Sequence, residues 1–348
     1  MQSITFLSDS VMTGHRADSV HPERPSRLHT LFKWLEKDRS LSYSTKDDTS
    51  SQEVVSLLGS VHDRNLVRML ESSQSRKQTL FDFDTIANNR TYASALKAVG
   101  LTVSAARRAT SSHSFFSLVR PPGHHATSGR MTGFCFVNNI AVAAHSLVSR
   151  NRRVAIIDFD FHYGNGTADL FWDNPNVLYI SVHADPNINF PYQGFLDEVG
   201  GGEGRGFNAC VPLFFGSSDR ELVASFDEVV LPLLDSFSPS IVGVSAGFDG
   251  YVVDPVGEGY LQYTPTGFQA VGQLLFDYSR AHQVPLFHTL EGGYNITELP
   301  NLVGSYIQPW VGQPNDSLLP SVRRKPVRGK ERRTIRAVRQ MLSQYWSL

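Results

Sequence analysis

Apolar runs that read as buried strands recur along the chain, and the stretches between them have helical spacing. The runs are SFFSLV (114–119), RVAIID (153–158), VLYISVH (177–183), SIVGVSA (240–246) and VPLFHTLEGG (284–293). The helical stretches are 93–109, 138–150, 220–237 and 264–282, the last opening with Thr264 and Pro265 in the manner of a helix start. Strands alternating with helices predict an α/β fold, a single domain with a mainly parallel β-sheet flanked by helices. Ligands of such sheets bind beyond the carboxyl ends of the strands. The polar clusters of this sequence sit there, each directly after an apolar run.

Composition limits the rest. The 348 residues are 41% hydrophobic and 19% charged, with no internal repeat and no long linker, which suits one large domain. A net charge of −1 is not that of a polyanion binder, so no direct nucleic-acid binding is expected. Two cysteines, Cys135 and Cys210, allow neither a disulfide framework nor a Cys-rich zinc site. That usage, with no apolar stretch suited to a signal peptide or a membrane span, points to a cytoplasmic location.

The segment IIDFDFHYGNGTAD (156–169) places Asp158, Asp160 and His162 at every second position. In an extended strand all three face one way. Two carboxylates and an imidazole so placed repel and lose solvation unless a cation lies between them. GFDGYVVDP (247–255) puts Asp249 after the apolar run SIVGVSA. Alone it reads as a turn residue; beside the first cluster it completes a His plus two Asp set. Such oxygen and nitrogen ligands suit Zn2+ and leave Fe(II), Co(II) or Mn(II) open. In VRPPGHHATSGRMTGFCFVNN (119–139), His124 and His125 are adjacent in an irregular loop, a pair suited to acid–base work near neutral pH. In LEGGYN (290–295), two glycines permit a tight path that swings Tyr294 into a site.

Taken together, GHH, DxDxH with GNGT, SAGFD and LEGGYN, preceded by HPERPSRL at 21–28, resemble the zinc-dependent histone deacetylase and acetylpolyamine amidohydrolase superfamily over about residues 10–312. The resemblance implies the arginase/deacetylase fold and hydrolysis of N-acetyl amides of aliphatic amines, with one catalytic Zn2+, a structural K+ and hydroxamate-type inhibitors. Carried over by position, Asp160, His162 and Asp249 match the zinc ligands. His124 and His125 match the histidine pair, Asp158 and Asn165 their respective partners, and Tyr294 the group that polarises the substrate carbonyl. An asparagine at 165 is the class II-like choice. Gly133, Phe134, Phe190 and Val256 match the acyl-lysine channel. Asp158, Asp160, His162, Ser181 and Val182 match the monovalent cation site.

Two positions depart from the family pattern. Tyr163 replaces a second histidine, and Val256 stands where eukaryotic polyamine-selective members carry a glutamate. The loop 181–208 instead looks like that of bacterial acetylpolyamine amidohydrolases, and Asp82, Asp84 and DEVGGGEG (197–204) are candidate rim carboxylates. The expected substrate is the acetylated lysine side chain with broad specificity; the alternative is an acetylated polyamine. A non-catalytic acyl-lysine binder and a two-manganese ureohydrolase are the readings of another kind, the first opposed by Tyr294, the second by the histidine pair. Residues 1–320 form the expected catalytic domain. The segment 321–348 has nine Lys/Arg between 323 and 339 against Glu331 alone, and Ile335, Val338, Leu342 and Tyr345 at helical spacing. It is expected to dock as a helix with a solvated basic face. A homo-oligomer is left open.

Overall fold

Val, Ile and Leu dominate the interior runs because both faces of each strand are covered. Every residue of Val154–Asp158, Val177–Ala184, Ile241–Ala246 and Leu286–Leu290 is buried. The structure is a computed structural model that describes residues 2–148, 150, 152–312 and 315–348. Its strands are β1 (Ser3–Leu7), β2 (Ser42–Ser44), β3 (Gln78–Leu80), β4 (Ile86–Asn88), β5 (His113–Ser117), β6 (Val154–Asp158), β7 (Val177–Ala184), β8 (Asn208–Leu213), β9 (Ile241–Ala246) and β10 (Leu286–Leu290). Its helices are α1 (Ser26–Lys37), α2 (Ser51–Val61), α3 (Arg64–Ser72), α4 (Thr91–Arg108), α5 (Asn139–Val148), α6 (Asn165–Phe171), α7 (Asp219–Ser225), α8 (Leu231–Phe237), α9 (Pro265–His282), α10 (Leu299–Val311), α11 (Leu318–Arg323) and α12 (Gly329–Leu342).

Eight strands form one sheet in the order β2-β1-β5-β10-β9-β6-β7-β8, and every pairing in it is parallel. β3 and β4 make a separate antiparallel pair. The order is not that of the sequence, so β5, β10, β9 and β6, far apart along the chain, end side by side. In register, Asp158 lies opposite Ser245 on one side and Ser181 on the other.

The predicted strands are present; β5 starts one residue before the run 114–119 and ends two before its close, and β10 is shorter than the run that contains it. β1, β2 and β8 add to them. β8 carries Pro212, which a central strand does not tolerate; β8 is an edge strand, where the missing N–H costs no ladder bond. Thr264 caps α9 by accepting from Thr266 N–H, with Pro265 in the first turn. The predicted helix 138–150 is realised as α5; Ser149 lies outside the described residues. The predicted helix 220–237 is α7 and α8 joined by a π-turn at Phe226–Val230. Pro232, with no N–H to give to an earlier carbonyl, follows that turn directly.

The aromatic core supports the site from below. Phe159, Phe248, Phe268 and Tyr306 are fully buried, and Phe159 lies 6.0 Å from Phe248 and 5.3 Å from Tyr306 between ring centroids. Phe159 and Phe248 flank Asp160 and Asp249 in sequence, so packing of their rings fixes both carboxylates. At the far edge α12 lays Ile335, Val338 and Leu342 against the core, and Trp346 Nε1 donates to Gly206 O at 2.6 Å.

Candidate functional site

The chain leaves β6 differently from the extended path that the alternating spacing predicts. The strand stops at Asp158. Asp160 N–H then donates to Asp158 Oδ1 at 3.1 Å, and His162 N–H to Asp160 Oδ1 at 2.9 Å. Each aspartate accepts from the residue two positions on, a local turn that competes with the extended backbone. The three side chains therefore do not face one point. Asp158 turns to His124, 3.1 Å from Nδ1, and accepts from Tyr179 OH at 2.9 Å. Asp160 and His162 converge on Asp249 from β9.

These three form a cluster in which one donor atom from each lies within 4.8 Å of the others. His162 Nδ1 is 3.0 Å from Asp249 Oδ2 and 3.3 Å from Asp160 Oδ1. Both carboxylates are fully buried. Backbone amides aim them: Gly292 N–H donates to Asp160 Oδ2 at 2.7 Å and Phe161 N–H to Asp249 Oδ1 at 3.0 Å. Glycine is required at two approaches. A Cβ on Gly247 would stand 2.0 Å from Asp160 Oδ2, and one on Gly292 2.4 Å from Asp249 Oδ2. Burial and the neighbouring Asp160 charge push Asp249 up to about 7. Burial opposes the charged form of His162, but Asp160 and Asp249 outweigh it and raise it to about 9. Two buried carboxylates competing for one imidazole form a donor set that fits a divalent cation.

The two histidines, with ring centroids 4.0 Å apart, have different partners. Burial works against the charged form of His124, yet Asp160 and Asp158 prevail and push it up to about 10. His125 is held well below the ordinary histidine range by burial, then by His124 and His162. Its Nδ1 lies 2.8 Å from Asn165 Oδ1. That oxygen can only accept, so Nδ1 carries the proton and Nε2 keeps its lone pair.

Tyr294 is buried beside them after Gly293, whose φ of 111° is open to glycine at no steric cost. Asp254 fixes this turn by accepting from Tyr294 N–H at 2.6 Å and Asn295 N–H at 2.9 Å. Burial holds the phenol well above its usual range, against the pull of Arg27, whose guanidinium lies 4.8 Å from the ring centroid. Phe134 packs edge-on to Tyr294 at 5.6 Å, and Phe190 edge-on to His125 at 4.9 Å. Gly133, at φ 56°, lets the chain pass His125; a Cβ there would meet the imidazole at 2.5 Å and Phe190 at 3.0 Å. Val256 is set by a bond from its N–H to Asp254 Oδ1 at 2.9 Å, and these ring contacts do not include it.

Of the expected cation residues, Ser181 is paired with Asp158 across β6 and β7, and its Oγ lies 2.9 Å from His183 Nδ1. Val182 follows in β7. Of the expected rim carboxylates, Asp82 accepts from Thr132 Oγ1 and lines a cavity of about 790 Å³ with Phe190 and Asn165. The 197–204 loop stays close to the mouth, where Glu198 shares a smaller cavity with Asn165 and Gln193, but it is tied down. Glu198 accepts from Gly194 and Phe195 N–H at 3.0 and 3.1 Å, and Gly201 N–H donates to Trp172 O at 2.9 Å.

Residue spacing did not single out the supports of the site. Glu291 is fully buried and accepts from Gly123 N–H at 2.7 Å and His124 N–H at 3.2 Å. Glu23, in the N-terminal mark, accepts two bonds of 2.7 Å from Arg120, and Arg27 donates to Gly293 O at 2.7 Å and to Glu291 O. Buried Arg and Glu separated by ninety-seven residues leave no periodic trace in a sequence.

A histone deacetylase domain model matches residues 21–309. Histone deacetylase 15 of Arabidopsis thaliana is 34% identical over 338 residues, 94% of this chain and 59% of that protein. A probable deacetylase of Archaeoglobus fulgidus is 31% identical over 291 residues, 81% of this chain and 79% of that protein. The crystal structure of the HDA15 HD domain superposes with a TM-score of 0.87 at 31% identity, covering 99% of this chain and 95% of that one. The chain thus spans about three fifths of the plant relative's length. The match takes in every strand end from which the polar groups above project, and on it the chain belongs to the histone deacetylase family of hydrolases, which act on acetylated substrates and are zinc-dependent in general.

Proposed function

We propose that this domain is a metal-dependent deacetylase that hydrolyses the N-acetyl amide of lysine side chains with broad specificity. The observation that carries the reading is the meeting of the buried Asp160, His162 and Asp249 cluster with a neutral His125, between the rings of Phe134 and Phe190. Asp160, His162 and Asp249 would hold Zn2+, which when bound supplies polarisation of the amide carbonyl and a more acidic water. His125 Nε2 takes the proton of the attacking water and later delivers it to the departing amine. Neutral Asn165 orients that imidazole without making it more basic. His124, cationic between two carboxylates, keeps His125 neutral. Tyr294 O–H donates to the oxygen on which charge develops. Phe134 and Phe190 line the methylene chain of the substrate, worth about 0.8 kcal/mol per buried CH₂. Asp158 and Ser181, with Asp160, His162 and the main chain at Val182, would hold K+ as a structural ion.

Lysine is favoured over free polyamines because two candidate readers of a distal ammonium are engaged, Asp82 by Thr132 and Glu198 by backbone amides. Val256 offers no charge. The retained Tyr294 opposes a non-catalytic binder, and the three-residue cluster opposes a two-metal ureohydrolase. The test is kcat/KM of zinc-loaded protein on an acetyl-lysine peptide, acetylputrescine and acetylspermidine. The peptide is expected to equal or exceed the amines. A preference for acetylputrescine above about a hundredfold would overturn the lysine assignment.

A further inference from the structure

The catalytic reading leaves the basic C-terminal segment unused. Its apolar side is spent: Thr334, Ile335, Val338 and Leu342 of α12 are buried, and Glu331 turns inward to accept from Ser217 Oγ at 2.9 Å. Some of its cations are spent too. Arg323 pairs with Asp227, Arg328 donates to Phe215 O at 2.8 Å, and Lys330 lies 3.3 Å from the centroid of Phe214. Arg324, Lys325, Arg332, Arg333, Arg336 and Arg339 form no ion pair among the described residues, and all but half-buried Arg339 are exposed. Arg332, Arg333, Arg336 and Arg339 recur at helical spacing and crown the face of α12 opposite its docked stripe.

A groove of about 480 Å³ separates α12 from the loop that carries Phe190, lined by Thr334 and Met341 on one side and Asp185, Phe195 and Leu196 on the other. The helix thus flanks the segment that walls the candidate channel, with Thr334 and Met341 toward the groove and the arginines on its outer face. We propose that the arginine crown of α12 is an exosite that binds an acidic segment of the acylated protein substrate, a segment joined to the acetylated lysine by enough chain to run from the outer face of α12 to the channel. The proposal rests on the lysine deacetylase reading and names the kind of protein it acts on.

The alternatives fit less well. A lipid surface is disfavoured because the apolar face that would enter it is buried in the domain. A nucleic acid is disfavoured because the chain carries a net charge of −1 and the basic surface is one helix and the turn before it. A free polyamine would be repelled. Guanidinium groups pair with carboxylates through two parallel bonds, which suits a glutamate- or aspartate-rich peptide.

The test uses two acetyl-lysine peptides that differ only in a run of glutamates joined by a flexible linker. On the wild-type protein the glutamate run is expected to raise kcat/KM by about fivefold or more at low salt, through KM, and to lose that advantage near ~0.5 M salt. In the Arg332→Glu, Arg333→Glu, Arg336→Glu triple variant the advantage should vanish while turnover of the unextended peptide is unchanged. Equal kcat/KM for the two peptides, or an advantage that survives in the triple variant, overturns the exosite. Arginine-dependent binding of a DNA duplex or of anionic vesicles that displaces the glutamate peptide overturns it in favour of that partner. Failure of the underlying reading looks different: neither peptide is turned over, and fluorescence anisotropy of the labelled glutamate peptide then decides the exosite alone.

Discussion

At the scale of single residues, Asn165 and Asp158 face two chemically identical imidazoles and make them opposites. The carboxylate helps keep His124 charged, and the carboxamide leaves His125 neutral. In the proposed mechanism His125 is the neutral base, which works above its own pKa, so the acid limb of kcat/KM should report it. Asn165→Asp places a negative charge on Nδ1–H and raises that pKa. The acid limb should therefore move to higher pH, by about one unit or more, and an unmoved limb in the pH–rate profile would remove His125 from the base role. In the proposed mechanism Tyr294→Phe removes a donor that acts on developing charge, so kcat should fall by about a hundred- to a thousandfold. Hydroxamate binding should stay within a few fold, as read by titration; a near-wild-type kcat would eliminate the oxyanion role. The polar residues that the fold gathers at the candidate site were legible in the sequence because each sits at the end of an apolar run. Their aim was not. Alternation made Asp158 a third inward group, and only the successive Asx turns at Asp158 and Asp160 divide it from Asp160 and His162.

At the scale of elements, the same divide separates what periodicity reports from what it cannot. β6, β7, β9 and β10 were legible as continuous apolar runs because both their faces are covered. β8 was hidden by Pro212, harmless only because the strand is at an edge, and edge position is a property of the sheet. The π-turn at Phe226–Val230 was hidden as well, since the hydrophobic spacing of 220–237 continues through it. Helix pairing is equally invisible in sequence, yet it rests on single atoms. α9 and α10 approach so closely at Gly272 that a Cβ there would stand 1.9 Å from Tyr306 O. Backbone cannot step aside as a flexible side chain does, so Gly272→Ala must push the helices apart. The expected loss is about 1–3 kcal/mol, measured by denaturant unfolding of the variant against wild type. An unchanged midpoint would mean that the pair has slack.

At the scale of the whole molecule, the strand order that gathers β5, β10, β9 and β6 also buries histidines that the site does not use. His62, between β5's following loop and α2, lies 2.8 Å from Thr127 O through Nδ1 and accepts from Asn138 N–H at 2.9 Å through Nε2, so it is fully used as a neutral ring. Burial depresses it and His183 to about 4, and His288 to about 3. In the unfolded chain all three return to about 6.5. The folded state therefore binds fewer protons than the unfolded one between pH 6.5 and those lower values, and stability falls as the pH falls through that window. Above about pH 6.5 all three are neutral in both states and the effect is absent. Each contributes a slope of about 1.4 kcal/mol per pH unit inside its window. His288 isolates one of them. It lies among Phe116, Tyr306 and Trp310, with Tyr306 OH 2.9 Å from Nδ1 and no hydrogen-bond partner on Nε2 among the described residues. Replacing both members of the bonded pair by apolar rings of similar shape is close to neutral. The double variant His288→Phe, Tyr306→Phe should match wild type near pH 7.5 and lose stability less steeply at pH 5.5 and 5.0, by about one proton's worth of slope. Unfolding free energies at these pH values decide it: parallel curves for the two proteins would show that His288 takes up its proton as easily in the folded core as in the open chain.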